Sequence, residues 1–123
     1  LATAQATAAG DALPSPPVSL EASLAEIVRL YLPDGPPRIE LAAEAAGLSV
    51  RTLQRRLATH NLHYDQMVSN VRFEQARNLL EQGDMKIAEI ARQLGYRHST
   101  HFTRAFRRIA GTSPREYRRQ LKH

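Results

Sequence analysis

Apolar residues recur every three or four positions along most of this chain. Leu20, Leu24, Ile27, Val28 and Tyr31 form one stripe, and Val50, Leu53 and Leu57 form another. Tyr64, Met67, Val68, Val71, Leu79 and Leu80 run through the longest uninterrupted pattern. Ile87, Ile90, Ala91 and Leu94 follow, and then Phe102, Ala105, Phe106 and Ile109. This spacing gives each segment one apolar helical face. An all-α domain of about seven helices is expected.

Punctuation residues set the expected boundaries. Ser19 is a good N-cap, and Glu21 suits the positive end of the helix that follows. Pro33 and the run Asp34-Gly35-Pro36-Pro37 close that helix in a turn. Ser49 caps a helix from Val50 to His60, and Asn61 is a left-handed stop. Gly83 ends the long helix over 64–82. Ser113-Pro114-Arg115-Glu116 is a capping box with proline at the first helical position. It opens a last helix in which Tyr117 and Leu121 face inward while Arg115, Arg118, Arg119 and Lys122 stay in water. Residues 1–18 carry Pro14, Pro16 and Pro17 in an Ala- and Thr-rich background and are expected to be an extended linker, leaving a domain over 19–123. The chain opens on Leu1 rather than Met, so a fragment or processed product with an upstream domain is expected.

One unit is written twice. Ile39, Ala43 and Gly47 lie 48 residues before Ile87, Ala91 and Gly95, and Leu53, Arg55 and Leu57 lie 49 before Phe102, Arg104 and Phe106. The change of offset falls in the turn. Each copy reads as a helix, a glycine turn, and a second helix that is apolar behind and cationic in front. That is the pattern of a helix-turn-helix, expected over about 39–60 and 86–109 with the helix 64–82 between them. Nineteen residues at ~1.5 Å each make that helix roughly 28 Å long. Major grooves on one face of B-DNA recur every ~34 Å, so a rod of about this length suits two recognition helices, 50–60 and 99–109, in successive grooves.

Charge sharpens this reading. The 123 residues carry a formal net charge of +5, unevenly placed. Residues 1–49 hold two basic residues against six acids, whereas residues 50–123 hold fifteen against six. No acid lies between Glu89 and Glu116. A strongly basic C-terminal part favours a polyanionic partner. The chain has no cysteine, which excludes disulfides, thiol nucleophiles and thiolate zinc sites and fits a cytoplasmic protein. No apolar run approaches the ~20 residues that span a bilayer.

The wording of the second unit is more specific than its pattern. Ile87-Ala-Glu-Ile-Ala91, Leu94-Gly95-Tyr96, Phe102-Thr-Arg-Ala-Phe106, Gly111-Thr-Ser-Pro114 and Tyr117-Arg118 closely resemble the C-terminal signature of AraC/XylS-type bacterial transcription regulators. The resemblance covers about Leu20 to Arg119 and is strongest after Ile87. It implies two helix-turn-helix subdomains on a long connecting helix, binding promoter or operator DNA without a cofactor. It also implies an upstream sensing or dimerisation domain and contact with RNA polymerase. Activator is among the roles the resemblance implies, while the residues themselves leave activation or repression open and name no promoter and no signal. Aligned on Gly47-Leu-Ser and Leu53-Gln-Arg, the positions that resemble the family's base contacts are Arg51, Thr52, Gln54 and Arg55. Their counterparts in the second unit are Ser99, Thr100, His101, Thr103 and Arg104. Arginine pairs bidentately with guanine, and glutamine with adenine, so Arg51, Arg55 and Arg104 lead these candidates. Arg56, Arg107 and Arg108 flank the inserted faces and are expected at phosphates. His98 stands where the resemblance implies Ser or Asp as the helix cap.

Other chemistries find little support. His60-x-x-His63 straddles a helix end and His98-x-x-His101 straddles a cap, and neither pair has the further ligands that a metal site needs. There is no phosphate loop and no paired carboxylates in a cleft, so no enzyme is expected. The competing reading is a basic helical module that binds polyanions or a protein partner without sequence preference. It explains the charge and leaves the duplication unexplained.

Overall fold

The computed structural model describes residues 19–121; the expected linker over residues 1–18, and Lys122, which was expected in the last helix, lie outside them. Seven α-helices and no strand are present among the described residues. They are α1 (Leu20–Tyr31), α2 (Ile39–Ala45), α3 (Val50–Ala58), α4 (Tyr64–Gln82), α5 (Ile87–Gln93), α6 (Ser99–Ala110) and α7 (Pro114–Leu121), with a 3-10 turn at Leu32–Asp34 after α1.

Helix α4 is the rod on which the rest is assembled. It packs against α1, α5, α6 and α7 and buries Tyr64, Met67, Val68, Val71, Ala76 and Leu80 along its length. Helix α1 lies along it through Leu24 and Val28, both without exposed surface. At the start of α4 the Tyr64 hydroxyl donates to the Pro37 carbonyl at 2.6 Å, which ties the rod to the segment leading into α2. Burial, and secondarily the neighbouring Asp65 carboxylate, pushes the Tyr64 phenol up to about 12.

The helix ends follow local chemistry. The Ser19 hydroxyl accepts from the Ala22 amide at 3.1 Å and Ser49 accepts from Thr52 at the same distance. Ser113 accepts from the Glu116 amide, one half of the expected capping box, while the Glu116 carboxylate pairs with Arg119 instead of reaching back. Helix α3 ends at Ala58, two residues short of the expected His60. Asn61 takes the left-handed conformation with φ 58°, and its amide and that of Leu62 reach back to Ala58 and Leu57. That closing geometry unwinds Thr59 and His60 into the turn.

Three stripe residues lie more open than their spacing predicts. Tyr31, Ile109 and Leu121 are all exposed; beside the first two, Leu32 lies in the core and Ala110 packs on it instead. Arg118 departs in the other direction. It is half-buried and donates from Nη1 to the Met85 carbonyl at 2.6 Å and from Nε toward the Leu80 carbonyl at 3.4 Å. It therefore stops the carbonyl end of α4, where unpaired acceptors and the helix dipole both favour a cation.

Candidate nucleic-acid interface

Each half of the molecule presents a helix pair closed by the same turn. In the first, the Gly47 amide bonds the Glu44 carbonyl and the Leu48 amide bonds the Ala43 carbonyl, at 3.0 and 2.9 Å. In the second, Gly95 bonds Arg92 and Tyr96 bonds Ala91, both at 3.0 Å. The four residues of one set lie 48 positions from those of the other. Both glycines have positive φ, +75° and +85°, where a side chain is strained. The duplication inferred from spacing is thus a duplication of backbone hydrogen bonds.

The turns deliver α3 and α6, and the two helices are seated differently. Leu53 and Leu57 anchor α3 with aliphatic contacts. Phe102 and Phe106 anchor α6 in an aromatic cluster. Phe106 stacks near Phe73 of α4 at 5.1 Å and Tyr117 of α7 at 5.4 Å, and Phe102 lies 5.6 Å from Tyr96. Each such pair adds about 0.5–1.5 kcal/mol beyond area burial. Tyr117 also donates to Glu81 at 2.8 Å, and burial first, then that carboxylate, raises its phenol above the ordinary range.

With their apolar faces fixed, the outer faces carry the expected residues. Arg51, Gln54, Arg55 and Arg56 are exposed on α3, and Ser99, Thr100, His101, Arg104, Arg107 and Arg108 are exposed on α6. Thr52 and Thr103 are half-buried. Thr52 also has a capping role, because its hydroxyl accepts from Ser49 Oγ at 3.0 Å while its amide donates back to the same oxygen. The second helix has no equivalent: His98 sits at the N-cap with extended backbone and makes no side-chain cap bond. Its ring instead meets that of His101 edge-on at 5.3 Å.

The structure sorts these residues further. Thr100, Thr103, Arg104 and Arg107 line one shallow surface depression, so Arg107 stands with the expected base readers of α6. Arg108 turns to the other flank, where it borders a crevice with Ser69, Arg72 and Phe73 of α4. Gln54 borders a separate depression with Arg38, Tyr64 and Asp65. Arg97 was not singled out by the sequence reading. It is exposed and shares a hollow between α5 and α6 with His98, Ser99 and Thr100. Its signal was its place next to the start of α6.

The arginines of the two outer faces are free of acid partners. Among the described residues, ion pairs hold Arg29 to Glu26, Arg38 to Glu40, Arg77 to Glu74 and Glu81, Arg92 to Glu89, and Arg119 to Glu116. None involves Arg51, Arg55, Arg56, Arg104, Arg107 or Arg108. Arg97 and Arg115, also exposed, likewise make no ion pair, and Arg72 and Arg118 bond backbone carbonyls instead. Unpaired guanidiniums on two protruding helices suit an external anion.

Two cationic helix-turn-helix units on one connecting helix define a class of DNA-binding domains, and the comparisons with known proteins agree. The profile described as "Helix-turn-helix domain" matches residues 42–120. The chain is 36% identical over 92 residues to the HTH-type transcriptional regulator VirS of Mycobacterium tuberculosis, an alignment that covers 75% of this chain and 27% of VirS. The DNA-binding domain of AdpA, a global transcriptional factor crystallised with a target DNA, superposes with a TM-score of 0.71 at 29% identity, covering 83% of this chain and 92% of that one. A regulator with an AraC-type DNA-binding domain from Chromobacterium violaceum shares the fold, with a TM-score of 0.73 at 24% identity over 80% of this chain and 88% of that one. The chain belongs to the AraC-type helix-turn-helix family. It spans about a quarter of the length of VirS.

Proposed function

We propose that this domain binds duplex DNA sequence-specifically in transcription regulation, with α3 and α6 entering successive major grooves. The observation that carries the reading is the set of six unpaired arginines on the outer faces of two duplicated helices. Arg51 and Arg55 lie four residues apart on one face of α3 and read bases together with Gln54. Arg104 does so on α6, with Ser99, Thr100, His101 and Thr103 contributing hydroxyl, methyl and imidazole contacts. Thr52 supports the first helix as much as it reads. Arg56, Arg107 and Arg108 hold phosphates, and Arg97 joins them. In the full-length protein an upstream sensing or dimerisation domain governs when this domain acts, and RNA polymerase receives the effect.

Selection of bound duplexes from a randomised pool at near-physiological salt tests the reading. Two short enriched blocks about one helical turn apart are expected, with a preferred site about 10³-fold or more tighter than random DNA. A single block would restrict base reading to one unit. An unenriched pool whose binding still falls steeply with salt would favour a non-specific polyanion binder.

A further inference from the structure

The two helix-turn-helix units are joined by more than the rod that carries them. Arg72, midway along α4, donates from Nε to the Leu94 carbonyl at 3.0 Å and from Nη2 to the Gly95 carbonyl at 3.2 Å. Both acceptors belong to the turn that delivers α6. The guanidinium also lies 4.0 Å from the centre of the Tyr96 ring, and Tyr96 packs on Phe102 of α6. A planar fork that bonds two successive carbonyls and stacks on an aromatic ring fixes orientation as well as distance.

The opposite side of the same turn meets the first half of the molecule. A Cβ on Gly95 would collide with the Leu32 carbonyl oxygen and come within 2.9 Å of the Gly35 α-carbon. Leu32 and Gly35 belong to the turn that closes α1. The Gly95 turn is therefore gripped from both sides, by α4 through Arg72 and by the first half through bare backbone. Its duplicate at Gly47 has no atom within 4 Å of the corresponding Cβ position.

We propose that this junction, with Arg72 as its positioning residue, fixes the separation and rotation of α6 relative to α3 and so determines which spacing of two half-sites the protein accepts. The proposal rests on reading α3 and α6 as the base-contacting helices. Moving one half-site by a single base pair shifts it by about 3.4 Å and rotates it by about 34°. Two units free to pivot on their aromatic and aliphatic contacts would follow part of that change. Two units locked through Arg72 and Gly95 would not.

The test uses the whole chain and duplexes that carry both enriched blocks, with the spacer shortened by one base pair, unchanged, or lengthened by one or two. The wild type is expected to lose about tenfold or more at each wrong spacing, in the range of a mismatch penalty. Arg72→Lys and Arg72→Gln, shown to be folded by circular dichroism and a cooperative melt, should compress that preference to about threefold or less. Tyr96→Leu should move the same way by a smaller factor. Folded Arg72 variants that weaken every spacing by one common factor would overturn the proposal, as would a wild type indifferent to spacing.

A second readout needs no DNA. The chain has no cysteine, so Ala58→Cys on α3 and Ile109→Cys on α6, both exposed positions, supply two spin-label sites. A single narrow distance distribution is expected, broadened by Arg72→Gln. An unchanged distribution would overturn the junction whatever the DNA experiments show. An unenriched pool together with a broadened distribution would retire the DNA reading and the spacing role, leaving the mechanical lock in place.

Discussion

Gly47 and Gly95 occupy equivalent places in two copies of one turn, yet only Gly47 has room beside it for a side chain. Alanine at Gly47 has to accept a left-handed backbone and nothing else, which costs about 1–2 kcal/mol. Alanine at Gly95 meets the same strain and also the Leu32 carbonyl and the Gly35 backbone, neither of which can swing away. Urea denaturation should place Gly95→Ala well below Gly47→Ala in midpoint, or leave it unfolded. Equal midpoints would refute the asymmetric packing.

The arginines of the outer faces should divide by what they touch. Arg51→Ala or Arg55→Ala is expected to cost about 1–3 kcal/mol on the preferred site and to relax preference at particular base pairs. Arg56→Ala should weaken all duplexes alike and reduce the salt slope by about one. Arg107 is expected to follow Arg56 although it shares its depression with the base-reading candidates Thr100 and Arg104. Binding measured on the preferred and a scrambled duplex at several salt concentrations checks both roles; a sequence-selective loss for Arg107→Ala would move it to the base-reading set.

Tyr64 couples stability to alkaline pH. Its folded phenol titrates at about 12, above the ordinary tyrosine value near 10. The unfolded chain therefore loses this proton first as pH rises. The contribution of Tyr64 is complete below about pH 10 and is lost as pH climbs through about 12. Tyr64→Phe removes the bond to the Pro37 carbonyl and should cost about 0.5–1.5 kcal/mol at neutral pH. It should also flatten the fall in melting temperature over that alkaline window, measured against wild type by scanning calorimetry. An unchanged alkaline slope would count against it.

Arg118 and its neighbour Arg119 should behave very differently. Arg118→Ala leaves the Met85 carbonyl without its charged donor and should cost about 1.5–3 kcal/mol. Arg119 pairs with Glu116 at an exposed position, and such pairs contribute about 0–1 kcal/mol. Matched denaturation curves decide this, and equal losses would mean that the Arg118 bonds contribute little.

Much of the architecture was legible because it is written in local signals. The bounds of α4, Tyr64–Gln82, coincide with an uninterrupted pattern ended by Gly83. Ser19 and Ser49 cap where their side chains allow it, and Asn61 turns left-handed as a short polar residue can. What stayed hidden depends on distant partners. In an arginine-rich last helix, Arg118 reads as one more wet cation; its acceptors on Leu80 and Met85 are backbone atoms that leave no mark in side-chain spacing. The same holds for Arg72, whose partners lie 22 and 23 residues away. The exposure of Ile109 and Leu121 was hidden for another reason, since periodicity marks a broad face and does not say which residues lie at its edge. The outer faces were read as cationic from composition, and the absence of acid partners for six of their arginines needed coordinates.

The open ground around Gly47 and the walls around Gly95 make the two duplicated units unequal as parts. At the tip of the first turn a side chain on Gly47 meets no neighbour, while Ala46 and Leu48 beside it stay packed on the core. The second is keyed to its host like a mortise, so a graft there has to bring its own matching Leu32–Gly35 surface and its own Arg72. Chimeras assembled from relatives should therefore tolerate donors at the front turn that the rear turn rejects.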